Sequence, residues 1–527
     1  MSARRTLVRR SAYHDSVVLL GLARELRREP GVEEAAALMG TPANHDLLAQ
    51  AGLATEDAQG AGPNDLVLVV RAASDAAAAG ALARAEALLA ARAHHAGPAA
   101  GAPPRTLVGA LRRLPGANLA LVSVPGAWAA AEARRALTRG LHVMLFSDNV
   151  ALEDEIALKT LALDRGLLLM GPDCGTAHLG GVPLGFANAV PRGRVGLVAA
   201  SGTGLQHVVA HLAARGEGVS HAIGVGGRDL SAAVGGRMTL AALDALGADP
   251  ATEVLVVIGK PPDPAVRRAI EARLDALGKP AVVVLLGAGV ATGAHGRRVT
   301  VTTLEDAGEA ALAALGGPAF APRPFSAPPA EVRRQVTEAR RGLGAAQDAV
   351  YGLYTGGTLA HEARLVLEPL LGPVGGNLSA GGTLDVHQGG HRVLDLGADE
   401  YTVGRAHPMI DPTTRAEALL AAAADPRVAV LLLDVVLGHG AAPDPAGDLA
   451  PALDAARAAA AAAGRRLAVV ATVVGTAADP QDLAAQGARL RAAGAWLLPS
   501  NAQAARAAAC IAGGEAVLER VLAGASR

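Results

Sequence analysis

One local pattern recurs in this chain and limits what it can fold into: a short apolar strand, a turn of glycine and hydroxyl residues, then a helix. Residues 195–200 are apolar, Ser201-Gly202-Thr203-Gly204 follows, and 205–215 reads as a helix with His207 and His211 one turn apart. Residues 349–354, Thr355-Gly356-Gly357-Thr358 and 359–367 repeat the plan. Apolar runs this short, bounded by turn residues, read as strands buried on both faces, as in parallel sheets. A small-residue turn that opens a helix is also an anion site. The first-turn N–H groups have no helical partner, and each helix start carries about half a positive charge. Two such starts facing one phosphate would nearly neutralise a single charge. Ser201, Gly202, Thr203, Gly204, Gly356, Gly357 and Thr358 are therefore the candidate phosphate ligands. Ser201 and Thr203 serve equally well as plain helix caps, and that alternative stays open.

Strand–helix alternation continues along the 527 residues, too many for one core. The expected fold class is α/β, three-layer αβα domains around parallel sheets. Aromatics make up only 2% of the chain, so the cores must be filled by Leu, Val and Ala. With 48 basic against 49 acidic residues there is no electrostatic case for nucleic acid or an anionic membrane. Two cysteines cannot form a disulfide framework, and a cytoplasmic protein is expected. No apolar run approaches the roughly 20 residues that span a bilayer.

In chain order, 1–104 reads as an N-terminal α/β extension that ends in an Ala/Gly/Pro-rich linker. Tyr13, His14, Thr41 and Asn44 lie at its strand ends or helix starts, where capping is the simpler role. Residues 105–190 form a second unit, 191–317 a third, 318–344 a proline-rich linker, and 345–527 a fourth. Ligands in such folds lie beyond the carboxyl ends of the strands. No Gly-x-Gly-x-x-Gly is present to hold a nicotinamide cofactor, and no metal site is expected. Cys174, in Gly171-Pro-Asp-Cys-Gly-Thr176, has no histidine placed by sequence to activate it and reads as a turn residue. Arg228 follows a Gly-Gly turn at a strand end. The loop 395–411 gathers Asp399, Glu400, Arg405, His407 and Asp411, a mixture suited to binding or to a structural ion pair.

These motifs carry a resemblance. Gly171-Pro-Asp-Cys-Gly, the run 195–204 and Gly224-Val-Gly-Gly-Arg228 resemble the succinyl-CoA synthetase α subunit. The 345–527 unit, including Asp385 to Gly397, resembles the CoA-ligase domain of the β subunit. Within that superfamily, Gly352-Leu-Tyr-Thr-Gly-Gly-Thr-Leu359 and the run 395–412 resemble the FdrA family. The resemblance implies a CoA-binding-like Rossmann domain over 105–190 and two flavodoxin-like ligase domains. It further implies a subunit of a multi-subunit complex acting on a small molecule. The FdrA likeness points to an oxamate carbamoyltransferase, which turns oxalurate and phosphate into oxamate and carbamoyl phosphate in purine and allantoin breakdown.

Departures from the synthetase pattern bear on the chemistry. No ATP-grasp stretch is visible, and the phosphohistidine segment is shortened to Thr292-Gly-Ala-His295-Gly296. His295 is a possible vestige of the phosphohistidine, and His439 a weaker candidate. Residues 105–118 contain no glycine-rich first turn, so CoA binding is expected to be weak or absent. An acyl-CoA synthetase subunit with a separate ATP-grasp partner, and a non-catalytic scaffold or CoA sensor, remain alternatives. In the carbamoyltransferase reading phosphate or carbamoyl phosphate is the substrate and no cofactor is certain. There Arg228 pairs with phosphate or a carboxylate, and Arg405 and His407 orient the oxamate carboxylate and leaving nitrogen.

Overall fold

A computed structural model describes residues 2–12, 14, 16–95, 104–289, 291–378, 390–402 and 406–524. Tyr13, Arg405 and Asp385 lie outside these residues. The chain divides into two compact units, one of Met1–Arg105 with Asp399–Asp411, the other of Thr106–Ala398 with Pro412–Arg527.

The first unit has a three-stranded sheet in the order Ala3–Arg9, Leu66–Ala72, Val32–Met39, with both pairings antiparallel. The N-terminal α/β extension is thus built on an antiparallel sheet. Helix Ser16–Arg27 carries the chain from the first strand to the second without letting them touch. Leu66–Ala72 fills the gap between them and runs the opposite way, as in split βαβ folds. The central strand is apolar from Leu66 to Val70 because it is covered on both faces there. Leu66, Leu68 and Val70 pack with Leu19, Leu22 and Leu26, whereas Val67 and Val69 pack with Leu48 and Leu53. The period of two follows from the alternation of side chains along a strand.

The second unit holds three sheets. Leu119–Val122, His142–Leu145 and Leu169–Met170 pair in parallel as a small sheet. An eight-stranded sheet runs Gly293–His295, Arg298–Val301, Ala281–Leu285, Val254–Gly259, Arg192–Ala199, Val219–Gly224, Thr176–Leu179, Val182–Gly185. Its central pairings are parallel, and its margins are the antiparallel hairpins 176–185 and 293–301. The six-stranded sheet is parallel throughout, in the order Val374–Gly375, His391–Asp395, Ala349–Tyr354, Val428–Val436, Ala468–Val474, Ala495–Leu498. In both large sheets the strand that precedes a Gly/Thr turn is central, and the next strands add on opposite sides of it. That is a topological switch point, where the crossover helices diverge and leave a crevice at the carboxyl edge. No helix among the described residues is long and apolar enough to cross a membrane.

Candidate functional site

Both Gly/Thr turns lead into helices that start at a switch point. Ser201 is extended at φ −164° and ψ 120° and caps helix Gly202–Ala214 by accepting from the Gly204 amide at 3.0 Å. The same hydroxyl donates to Thr358 Oγ1, on the first turn of helix Gly357–Leu371, at 2.7 Å. A Cβ built on Gly356 would lie 2.7–2.8 Å from three atoms of the Thr203 side chain. The two helix starts are thus in direct contact, and the hydroxyls of Ser201 and Thr358 occupy the space between them. The apposition brings together two partial positive charges, which only nearby anions make tolerable.

The chain supplies such anions itself. Asp434, fully buried, follows the apolar run of Val428–Leu433. Its carboxylate accepts from the Thr355 amide at 2.9 Å, the Thr355 hydroxyl at 2.9 Å and the Gly356 amide at 3.0 Å. Buried Arg415 completes the shell, donating to Asp434 Oδ1 at 3.1 Å and to the Asp434 carbonyl. A second carboxylate, Asp395, lies so close to Gly357 that a Cβ there would collide with it. Its backbone is held at both ends by the Asn377 side chain, at 2.8 Å each. The second helix start therefore faces two resident carboxylates, and the amides of Thr355 and Gly356 are already engaged.

Behind the helix starts lies a buried polar seam. The Asn501 amide donates to His207 Nε2 at 3.3 Å, and its side chain donates to the Leu359 carbonyl and Glu362 Oε2 at 2.8 Å each. Glu362 also accepts from the Leu304 amide at 2.7 Å, and Ser500 donates to Glu305 at 2.7 Å. Burial pushes the Glu362 carboxyl up to about 7 and the His207 imidazole down to about 3. His207 Nδ1 and Asn501 Oδ1 have no hydrogen-bond partner among the described residues.

The remaining candidates fall elsewhere. Arg228 pairs through Nε with Glu155 at 2.8 Å and donates to the Val150 carbonyl at 2.8 Å. Glu155 in turn accepts from Lys159, which is fully buried and also meets Asp229 at 2.8 Å. Asp229 accepts from the Thr239 amide and hydroxyl at 2.9 and 2.6 Å, so the cluster fixes helix Arg237–Ala248. Arg228, half-exposed itself, thus sits at the rim of a buried ion network. Cys174 is buried, and burial pushes its thiol up to about 12, far from a nucleophilic thiolate. His295 is exposed on an edge hairpin, paired with Arg298 at the amino end of the eight-stranded sheet. Four strand spacings and five residues of rise put it roughly 25 Å from Ser201. The shortened segment closes into a hairpin there instead of reaching across the sheet. His439 is exposed, with its amide bonded to the Ala187 carbonyl at 2.8 Å. His407 accepts from the Met409 amide at Nδ1, 3.2 Å away, and burial holds its pKa down at about 4.

Sequence reasoning passed over Arg415, Asp395 and Glu362. Asp434 carried one usable signal, an acid following six apolar strand residues; Asp395, Arg415 and Glu362 carried none.

Comparison with known proteins gives the chain its relatives. The CoA-ligase family matches residues 353–511, and the family described as AllF, heavy metal-associated domain, matches 1–104. Residues 1–104 contain no cysteine, and no group of three His, Cys, Asp or Glu among the described residues is placed to hold a metal. The side chains present thus do not fit the soft-metal site that the name of the second family implies. The succinate–CoA ligase [ADP-forming] subunit alpha of Aquifex aeolicus (strain VF5) is 30% identical over 154 residues, 28% of this chain and 48% of that subunit. The apo dinucleotide-forming acetyl-coenzyme A synthetase 1 of Ca. Korarchaeum cryptofilum covers 77% of this chain and 85% of its own at 16% identity, with a TM-score of 0.30. The uncharacterized protein YahF of Escherichia coli (strain K12) is 39% identical over 501 residues, 94% of this chain and 96% of YahF. The chain belongs to the YahF family, within the CoA-ligase superfamily.

Proposed function

We propose that this chain is an FdrA-type subunit of an oxamate carbamoyltransferase, acting in a multi-subunit complex on oxalurate and phosphate. The observation that carries the reading is the apposition of two helix starts at Ser201 and Thr358, with hydroxyls between them. Phosphate would replace the Ser201–Thr358 hydrogen bond, taking donors from both hydroxyls and from the amides of Gly202, Thr203, Gly357 and Thr358. A phosphate oxygen then attacks the terminal carbamoyl carbon of oxalurate. The bond from that carbon to the inner nitrogen breaks, the nitrogen takes a proton and leaves as oxamate, and carbamoyl phosphate remains. Such a transfer needs oriented donors for a developing oxyanion and no phosphohistidine. The exposed edge position of His295 agrees with this, and so does the AllF match over 1–104.

A second reading, an acyl-CoA ligase subunit with a separate ATP-grasp partner, is favoured by the CoA-ligase match over 353–511 and by the succinate–CoA ligase relatives. The deciding experiment uses the complex assembled by co-expression with the neighbouring genes. Carbamoyl phosphate formed from oxalurate and phosphate, with no dependence on CoA or nucleotide, supports the first reading. Acyl-CoA formation that requires nucleotide, without phosphorolysis of oxalurate, replaces it with the second.

A further inference from the structure

Five of the eight large apolar side chains exposed among the described residues come from one stretch: Val108, Leu114, Leu121, Val124 and Trp128. They belong to or flank Leu119–Val122, the end strand of the small parallel sheet. Among the described residues that strand pairs only with His142–Leu145. The Asn118 and Val122 carbonyls accept from the His142 and Phe146 amides at 2.8 and 2.9 Å. Even-numbered residues thus bond to the neighbouring strand, and the N–H and C=O groups of Leu119 and Leu121 point out of the sheet edge. An open edge is a template for another strand, and proteins guard such edges with charge, proline or a bulge. Leu119-Ala-Leu-Val122 carries none of the three, and Leu121 is 49% exposed.

The two ends of the edge differ in chemistry. Before the strand, helix Leu107–Arg113 packs Leu107 and Leu111 on the core and leaves Arg112, Arg113 and the following Leu114 exposed. After the strand, Val124 is exposed, and so is Trp128 on the first turn of helix Gly126–Thr138. Residues 106–131 contain no acid. Neither Arg112 nor Arg113 makes an ion pair with the described residues. One end therefore offers unpaired guanidinium groups, and the other an open indole face.

We propose that a second copy of this chain covers this edge, its Leu119–Val122 pairing antiparallel with the first about a two-fold axis. Two three-stranded sheets then become one of six strands. The edge is complementary to itself. An axis perpendicular to the sheet keeps every side chain on its own face, so odd-numbered residues must lie opposite odd-numbered ones. With Leu119 opposite Leu121 of the second copy, the outward groups of each facing pair exchange two hydrogen bonds. The same register sets the exposed Leu121 against Leu119 as an apolar cross-strand pair and leaves only alanine, Ala120 against itself, on the axis. Antiparallel strands also bring the amino end of one edge beside the carboxyl end of the other. Arg112 and Arg113 of one copy thus adjoin Val124 and Trp128 of the second. A guanidinium on an indole face is favourable without any acid, which matches a surface that has none. The pairing is independent of the chemistry proposed above.

The test is analytical ultracentrifugation of the full chain from about 1 to about 100 µM. The expected result is a concentration-dependent dimer. Leu121→Lys and Trp128→Ala each raise its Kd at least tenfold, whereas Leu121→Met keeps it within threefold. Both side chains are exposed, so equal melting temperatures of the dilute monomers serve as the folding control. Cysteine cross-linking reads the register, and the native Cys174 and Cys510 are buried and do not compete. On the axis the two Ala120 positions form a non-hydrogen-bonded pair with Cα atoms about 4.5 Å apart, within disulfide reach. Mild oxidation should link Ala120→Cys into a covalent dimer. It should leave Ser123→Cys unlinked, because this register puts the two copies of that position roughly 20 Å apart. A wild-type chain that stays monomeric at about 100 µM overturns the assignment, whichever other protein the edge then takes. So does a dimer unchanged by Leu121→Lys, or one that links through Ser123→Cys and not through Ala120→Cys.

Discussion

The buried pairing of Asp434 with Arg415 makes a large energetic demand, and a double-mutant cycle measures it. Both side chains are out of solvent, at 0% and 4% exposure. The carboxylate accepts from Thr355 twice, from Gly356 and from Arg415. Asp434→Asn keeps the shape but turns an NH2 group toward donors and strands the Arg415 charge. Breaking a buried pair from one side destabilises by about 3–5 kcal/mol. Arg415→Gln leaves the carboxylate with three donors and a helix start, so its loss is smaller, about 2 kcal/mol. In the double variant neither charge is stranded, and a coupling of at least about 1.5 kcal/mol is expected. Trp496 reports on the same sheet, since its strand pairs with Ala468–Val474, which pairs with the Asp434 strand. In a Trp128→Phe background, where the replaced ring is 69% exposed, urea unfolding followed by Trp496 fluorescence gives each free energy from its midpoint and slope. Losses below about 1 kcal/mol for both single variants, or coupling below about 0.5 kcal/mol, would refute the idea that a resident carboxylate holds this helix start.

Glu362 makes stability depend on pH in an unusual direction. Its folded pKa, near 7, lies above the unfolded value of about 4.3, so the folded state binds the extra proton between them and stability falls as pH rises through that window. The buried histidines His207 and His178, held near 3 and 4, act oppositely, because the unfolded chain takes their protons below about 6.5. Glu362→Gln should therefore steepen the gain in stability between pH 5 and 7 by up to roughly 3 kcal/mol, read from unfolding midpoints; parallel wild-type and variant curves would contradict this. Lys159→Met should lower stability by about 3–5 kcal/mol by leaving Glu155 and Asp229 buried without their shared cation, and neutralising both acids in the same chain should restore most of the melting temperature.

What could be read in advance was whatever depends on local pattern. The strands that precede Ser201 and Thr355 are runs of buried apolar residues closed by turn residues, and Arg192–Ala199 and Ala349–Tyr354 follow directly from that. Non-local pairing was not legible. Nothing within 1–104 tells that Leu66–Ala72 inserts antiparallel between two earlier strands, because the pairing depends on which gap the first crossover leaves. The hairpin 176–185 is short and half polar, and it is a strand pair only because Val219–Gly224 offers it an edge. The site behaved alike. Ser201 and Thr358 could be picked out from their turns, whereas Arg415 sits in an alanine-rich helix and matters only because Asp434 lies opposite it.

The contact between Gly356 and Thr203 also constrains how this sequence can drift over generations. A methyl group at 356 meets the Oγ1, Cβ and Cγ2 atoms of Thr203 together, so trimming Thr203 to serine would still leave it no room. Only the loss of Cβ at 203 clears the space, and that change forfeits a side chain beside the helix start. Neither single step is neutral, so positions 153 residues apart in the chain are expected to change in concert or to stay fixed, each residue's freedom to vary being set by the other.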